Sequence, residues 1–150
     1  GTRQKLKMKL NIRHTWNSWE DIKTPDITAF HNPIIHHIGI VAPFDTSVNT
    51  LLQHCEKIVD FPEQRLFMGY THSKADNVKI EVIKPYSDKS PLKRYLTSSV
   101  WTLDHFCYRA DLIEKPEMVI GKKFYSPLWE KYCQFFLDNE LNKIELIYEY

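Results

Sequence analysis

Val78-Lys79-Ile80-Glu81-Val82-Ile83 and Asn142-Lys143-Ile144-Glu145-Leu146-Ile147 stand in opposite halves of the chain and match at most positions. In a strand, successive side chains alternate faces, so Lys79, Glu81 and Ile83 share one face while Ile80 and Val82 share the other. Each hexapeptide carries a carboxylate into a segment that otherwise reads as core. Such a group is costly to bury unless it is paired or bound to an ion, and two at matching positions ask for one explanation.

Upstream of each hexapeptide a second element recurs. Ile35-His36-His37-Ile38-Gly39-Ile40 and Leu103-Asp104-His105-Phe106-Cys107-Tyr108 both read as short apolar strands with a central histidine. His37 precedes Glu81 by 44 residues and His105 precedes Glu145 by 40. After the first of these strands, Asp45-Thr46-Ser47 offers N-cap residues, and Val48, Leu51, Leu52, Cys55 and Ile58 recur at helical spacing. Arg65 to Tyr70 and Val78 to Ile83 predict a hairpin across Ser73 to Asn77, and Gln134 to Asp138 with Lys143 to Tyr148 predict another across Asn139 to Asn142. In the turn-rich link from Pro85 to Pro91, Ser90 is placed to cap a short helix with Pro91 in its first turn.

The pattern is an internal repeat. It predicts an α+β fold of two βαβββ-type modules, about 34–97 and about 98–150, with sheets curved around a shared metal-binding cleft. The stretch from Ala110 to Tyr132, punctuated by Pro116 and Gly121, is short for a full helix and strand. The second module is therefore expected to be shortened, with its wall of the cleft reduced or differently built. Residues 1–33 show no clean period and carry Pro25 and Pro33, so they read as an N-terminal extension or linker to a domain at 34–150. Arg3, Lys5, Lys7, Lys9 and Arg13, with no acid among the first thirteen residues, read as a solvated tail or as a docking arm for an acidic partner.

Packed about a pseudo-twofold axis, the halves would bring His37, Glu81, His105 and Glu145 together. Two imidazole nitrogens and two carboxylate oxygens suit one divalent ion such as Zn, Ni, Co, Mn or Fe, and six-coordination would leave two positions for substrate. Singly, a strand histidine is more often a hydrogen-bonded core residue and a strand glutamate faces solvent; the repetition is what favours the ion. His36 rivals His37, since adjacent residues face opposite ways, but the repeat pairs His37 with His105 and leaves His36 opposite Asp104. His14, His31, His54 and His72 have no repeat partner.

Composition narrows the partners. The chain has 150 residues, 43% apolar and 13% aromatic, enough to bury a core and a pocket. A formal charge of +1 gives no field for a polyanion, and no apolar run approaches the ~20 residues of a membrane helix. A small molecule is the expected partner; nucleic acid and membrane are not. Cys55, Cys107 and Cys133 form no CxxC pair and lie in apolar-patterned segments, which reads as free thiols in a reducing compartment. No signal-peptide pattern is visible, so the expected location is cytoplasmic. A start at Gly1 rather than Met reads as a cloning remnant or a domain cut from a longer protein, and a homodimer or attachment to a larger chain are both expected arrangements.

With these residues in place, the chain resembles the vicinal oxygen chelate superfamily, which includes glyoxalase I, methylmalonyl-CoA epimerase, extradiol dioxygenases and fosfomycin-resistance proteins. The resemblance covers about residues 34 to 150. His37-Ile38-Gly39-Ile40-Val41 is similar to the first epimerase strand, where the histidine is a metal ligand. Glu81-Val82-Ile83-Lys84-Pro85 with Ser87-Asp88-Lys89-Ser90-Pro91 is similar to the epimerase stretch after its second ligand, and Ser90 is a candidate substrate-binding residue there. Asp104-His105-Phe106-Cys107 resembles the third-ligand strand, and Lys143-Ile144-Glu145-Leu146-Ile147 the last strand with its ligand glutamate. The chain departs from the epimerases at Glu81, where they usually have glutamine and bacterial glyoxalases have glutamate. It departs again at Met68, which stands four residues after Glu63-Gln64 where epimerases place a catalytic base.

The resemblance implies bidentate binding of two neighbouring substrate oxygens to the ion and proton abstraction next to a carbonyl, with Glu145 and Glu81 as the catalytic carboxylates. The leading expectation is a metal-dependent isomerase or epimerase of an acyl thioester or 2-oxo compound. A glyoxalase I-like lyase on a thiol hemithioacetal is the alternative that Glu81 favours. A non-catalytic small-molecule-binding module is the alternative that Met68 and the shortened second half favour. A ring-cleaving dioxygenase fits less well, because those sites use two histidines and one carboxylate.

Overall fold

The computed structural model describes residues 5–9, 19–23, 25, 27, 30–31, 33–72, 78–109, 112–113, 119–137 and 143–148. The first module runs β4 (Ile34–Val41), α1 (Val48–His54), β5 (Lys57–Phe61), β6 (Leu66–His72) and β7 (Lys79–Pro85). The second runs β8 (Thr102–Arg109), a two-residue β9 (Leu112–Ile113), β10 (Val119–Ser126), β11 (Lys131–Leu137) and β12 (Lys143–Ile147). Ahead of them, β1 (Lys5–Lys9) pairs antiparallel with β2 (Trp19–Lys23), and β3 (Phe30–His31) pairs with β9.

Eight strands form one mixed sheet in the order β10-β11-β12-β8-β4-β7-β6-β5, curled into a half-barrel. The order is a mirror about its centre. In each module the first strand lies parallel to the last, β4 beside β7 and β8 beside β12, and the modules join through the antiparallel β4–β8 pair. The four strands that carry His37, Glu81, His105 and Glu145 are therefore the four contiguous central ones. Register completes the placement: Gly39 is opposite Glu81 on one side and His105 on the other, and Glu145 is opposite Cys107.

Strand alternation divides the core into two faces. Ile38, Ile40, Ile80, Val82, Phe106, Ile144 and Leu146 pack on the convex face with Leu51 of α1 and with Phe136. Phe30 belongs to this cluster and meets Phe136 edge-on at 5.4 Å, which ties β3 to the sheet. On the concave face, Val41, Leu66, Met68 and Ile83 form a second cluster with Phe61, Leu92 and Leu128. The carboxylates and histidines sit on that concave side.

The helix starts where the sequence places it: the Ser47 side chain accepts from the Thr50 N–H at 3.1 Å. It ends earlier than the spacing of Cys55 and Ile58 predicts. Cys55 turns extended, at φ −102° and ψ 141°, and Lys57–Phe61 is drawn into antiparallel pairing with β6. Pairing outweighs a helical period carried by two residues. The short helix expected after Pro91 is a single 3-10 turn, Lys93–Tyr95, with Ser90 Oγ accepting from the Leu92 N–H at 3.1 Å. The span from Ala110 to Tyr132 holds a full eight-residue strand, β10, so the sheet on that side keeps all its strands. Ala110, Pro116, the hairpin loops Ser73 to Asn77 and Asn139 to Asn142, Arg3, Arg13 and His14 lie outside the described residues. The three cysteines are free, and among the described residues no helix is long and apolar enough to cross a membrane.

Candidate metal centre

His37, Glu81, His105 and Glu145 converge on the concave face, each at least 96% buried. One ligand atom from each lies within 4.8 Å of every other. His37 Nε2 is 3.1 Å from His105 Nε2, 3.1 Å from Glu145 Oε1 and 3.4 Å from Glu81 Oε2. His105 Nε2 is 3.5 Å from Glu145 Oε1 and 3.6 Å from Glu81 Oε1. These edges are those of a coordination shell: bonds of ~2.1 Å place neighbouring ligands about 3.0 Å apart in an octahedron and about 3.4 Å apart in a tetrahedron.

The outer nitrogens of the two imidazoles fix what faces inward. His105 Nδ1 lies 2.8 Å from Asp104 Oδ2, and Asp104 is held as a carboxylate by Lys143 Nζ at 3.1 Å, Arg94 Nη2 at 3.2 Å and the Tyr95 hydroxyl at 3.1 Å. The ring donates from Nδ1, so in its neutral form the Nε2 lone pair points into the cluster. His37 Nδ1 makes the matching contact with His36 Nδ1 at 2.8 Å. Donation from His37 to His36 gives the second ring the same tautomer. With both rings neutral, four acceptors face one another, and Glu145 Oε1 is a buried oxygen without a hydrogen bond. A cation satisfies all four at once, and two carboxylates match the charge of a divalent ion. The residues fit the ion.

Adjacent strand residues normally face opposite ways, so His36 and Asp104 reach these positions only because both strands bulge. In the β4–β8 register one extra residue, His36, falls between Ile35 and His37, and one extra residue, Asp104, falls between Leu103 and His105. Each bulge turns the residue before the histidine toward the ring it orients. His36 was read as a rival to His37; it is that residue's hydrogen-bond partner instead.

Trp129 is the residue that sequence reasoning missed. Its indole Nε1–H donates to Glu81 Oε2, and its ring stacks on His37 at 4.6 Å and 20°. The signal for it was a second, weaker repeat: Phe61-Pro62-Glu63-Gln64-Arg65 and Ser126-Pro127-Leu128-Trp129-Glu130 both connect strands and both end in left-handed backbone, at φ 54° and 56°. Trp129 is thus the counterpart of Gln64, which lines the cavity over the site.

No protein-family model and no curated protein matches the sequence. Solved structures do. A hypothetical protein from Bacillus halodurans C-125 superposes with a TM-score of 0.59 at 17% identity, over 77% of this chain and 94% of that one. Methylmalonyl-CoA epimerase from Mycobacterium tuberculosis gives 0.59 at 13% identity, over 81% and 91%. A Streptomyces coelicolor methylmalonyl-CoA epimerase variant in complex with 2-nitronate-propionyl-CoA gives 0.55 at 13%, over 75% and 94%. The chain has the vicinal oxygen chelate fold.

The cluster opens onto a cavity of about 300 Å³. Apolar walls come from Phe61, Leu66, Ile83 and Leu92 of the first module and Phe124 and Phe135 of the second. Met68 lines it too, on the same strand face as its register partner Ile83. Ser90 is buried, its hydroxyl accepts from the Leu92 N–H, and it does not line this cavity.

Gly39 has a spatial role. A Cβ there would land against the His105 imidazole, 2.6 Å from Nδ1 and Nε2. Gly39→Ala is therefore expected to push the ring off Asp104 and to weaken ion binding about 10- to 100-fold, with the far-ultraviolet circular dichroism unchanged. Zinc titration of the two proteins checks it.

Held by protons alone, the site is strongly polarised. Burial pushes the Glu81 carboxyl above its ordinary range. At Glu145 the same burial is overcome by His105 and His37, and the carboxyl falls well below it. Burial lowers His105, but Glu145, Asp104 and Glu81 outweigh it and raise the ring to about 10. Burial and His37 lower His36 to about 3, which leaves it neutral and able to accept from His37. Folded His105 thus holds its proton more tightly than the unfolded chain does, whose value is 6.5. Its contribution to ion-free stability is full below about 6.5 and is lost as pH rises toward about 10. Urea midpoints of the ion-free chain should fall across that window, and saturating zinc should flatten the fall.

Proposed function

We propose that the chain is an enzyme that holds one divalent ion, Zn, Ni, Co or Mn, on His37, Glu81, His105 and Glu145 and moves a proton next to a carbonyl. The substrate class is an acyl thioester or 2-oxo compound, and the reaction an isomerisation or epimerisation. The carrying observation is the convergence of four buried acceptors, one of them a carboxylate oxygen with no hydrogen bond, at the head of an apolar cavity. Complexes of similar epimerases with methylmalonyl-CoA or 2-nitronate-propionyl-CoA lend the thioester reading support.

A bound ion would supply Lewis-acid chemistry, lowering the pKa of a carbon acid by stabilising charge on the neighbouring oxygen. The chain does the rest. His36 and Asp104 fix the tautomers of the two ligand histidines. The walls of the cavity exclude water and take the alkyl part of the substrate. Glu81 and Glu145 are the carboxylates placed to accept the proton, because Asp104 is engaged by four partners and Met68 has no basic atom.

A glyoxalase I-like lyase on a thiol hemithioacetal is the second reading, and the carboxylate at Glu81 favours it. In either case residues 34–150 form the working domain behind an extension at 1–33, in a cytoplasmic protein that is a homodimer or part of a larger chain. The test is solvent-deuterium exchange at the α-carbon of an acyl-CoA epimer pair, run beside turnover of the glutathione adduct of methylglyoxal. Exchange in the first selects the isomerase and turnover of the second selects the lyase. Neither, with any of the four metals, leaves a non-catalytic binding module.

A further inference from the structure

We propose that Trp129 is the positioning residue of this site: its indole N–H holds one oxygen of Glu81, so that the carboxylate meets the ion through the other oxygen alone. The inference rests on the ion-binding reading above and adds a division of labour between the two glutamates.

Trp129 is carried by the β10–β11 turn of the second module, yet two of the groups it touches, His37 and Glu81, are ligands supplied by the first. Its ring cannot swing away freely. His37 stacks on it at 4.6 Å, Tyr70 lies against it at 5.3 Å, His36 meets it edge-on at 4.8 Å, and the Lys79 ammonium sits 5.6 Å from its centroid. The donor is therefore fixed in space, and a fixed donor fixes its acceptor. With one lone pair of Glu81 Oε2 taken by the indole, Oε1, which faces His105 Nε2 at 3.6 Å, is the oxygen with both lone pairs free. Glu145 has the opposite environment, since its Oε1 carries no hydrogen bond. If Glu81 leaves the ion to take a proton on Oε1, the indole keeps Oε2 hydrogen-bonded and the group within reach. Glu145 has no such anchor on Oε1 and serves as the standing ligand.

Cobalt(II) titration of the full chain tests this, read by the visible ligand-field spectrum and by the dissociation constant. Trp129→Phe keeps an aromatic ring and loses the N–H; Trp129→Gln loses the ring and keeps an N–H donor. The Phe variant is expected to bind Co(II) about 10-fold more weakly, with weaker visible bands as Glu81 closes on the ion through both oxygens and coordination number rises. The Gln variant is expected to return both readings toward wild type. Spectra of wild type and Trp129→Phe that superimpose would overturn the proposal, as would a Gln variant that behaves like the Phe variant, since the ring and not the N–H would then set the site. Should Trp129→Phe not fold, the Gln variant decides alone: a wild-type spectrum supports the role and an altered one removes it. A wild-type chain that binds no Co(II) defeats the ion-binding reading itself, a different failure.

Discussion

Glu145→Gln is expected to strip the chain of its ion. The substitution keeps the shape of the side chain and removes the charge on Oε1, the oxygen that no hydrogen bond satisfies. Loss of an outer partner of a metal ligand costs up to ~100-fold in affinity, and loss of a ligand charge should exceed that. At a free ion concentration near 1,000 times the dissociation constant, binding stabilises the fold by about 4 kcal/mol, and a 100-fold weakening leaves about 1.4. The zinc-induced rise in Tm should therefore collapse in Glu145→Gln while the ion-free variant stays folded, because its new amide can donate to the imidazoles beside it. His72→Ala is the control: His72 is exposed and pairs with Glu56 at 2.9 Å, away from the cluster, and its response to zinc should match wild type. A wild-type chain whose Tm ignores Zn, Ni, Co and Mn alike would end the metal reading.

The second large effect concerns Met68. It lines the cavity on the same sheet face as Glu81, two register positions along the β6–β7 pair, where a carboxylate would look into the substrate space. A positioned general base contributes about 10²- to 10⁴-fold in rate. Wild type is expected to exchange the α-proton of one enantiomer of an acyl thioester with solvent deuterium much faster than that of the other and to invert either only slowly, because inversion needs proton delivery from the opposite face. Met68→Glu should raise exchange from the second enantiomer by a factor in that range and speed inversion, followed by NMR on each enantiomer. If wild type racemises the substrate rapidly unaided, a base other than Met68's position serves the second face.

How much of this was legible in the sequence depends on which physical signal each residue leaves. Glu81 and Glu145 were visible because a carboxylate in an apolar strand contradicts its surroundings, and the contradiction occurs twice. His37 and His105 followed from the same repeat. His36 and Asp104 were visible as counterparts but not as partners of the ligand rings, since the bulges that turn them inward arise only when β4 and β8 pair. Strand period alone would have sent them to the other face. The end of α1 was misjudged for a related reason: Ile58 fits a helical stripe, yet its place in β5 is set by Gly69 across the ladder. Trp129 was hidden because it sits in a turn, where aromatic residues carry no periodic signal, and its counterpart Gln64 has different chemistry.

The antiparallel seam between β4 and β8 has a consequence for how the molecule comes apart. The candidate ligands, two from each module, meet across it, so an ion site there would be complete only when the two halves are docked in final register. An ion that recognises only this late arrangement leaves the folding barrier nearly untouched and deepens the native well. Its signature would be kinetic: refolding rates in zinc close to those without it, and unfolding slowed by nearly the whole of the binding free energy. The ion in such a fold acts less as a nucleus than as a latch, and the lifetime of the native chain, more than its speed of assembly, would answer to the metal supply around it.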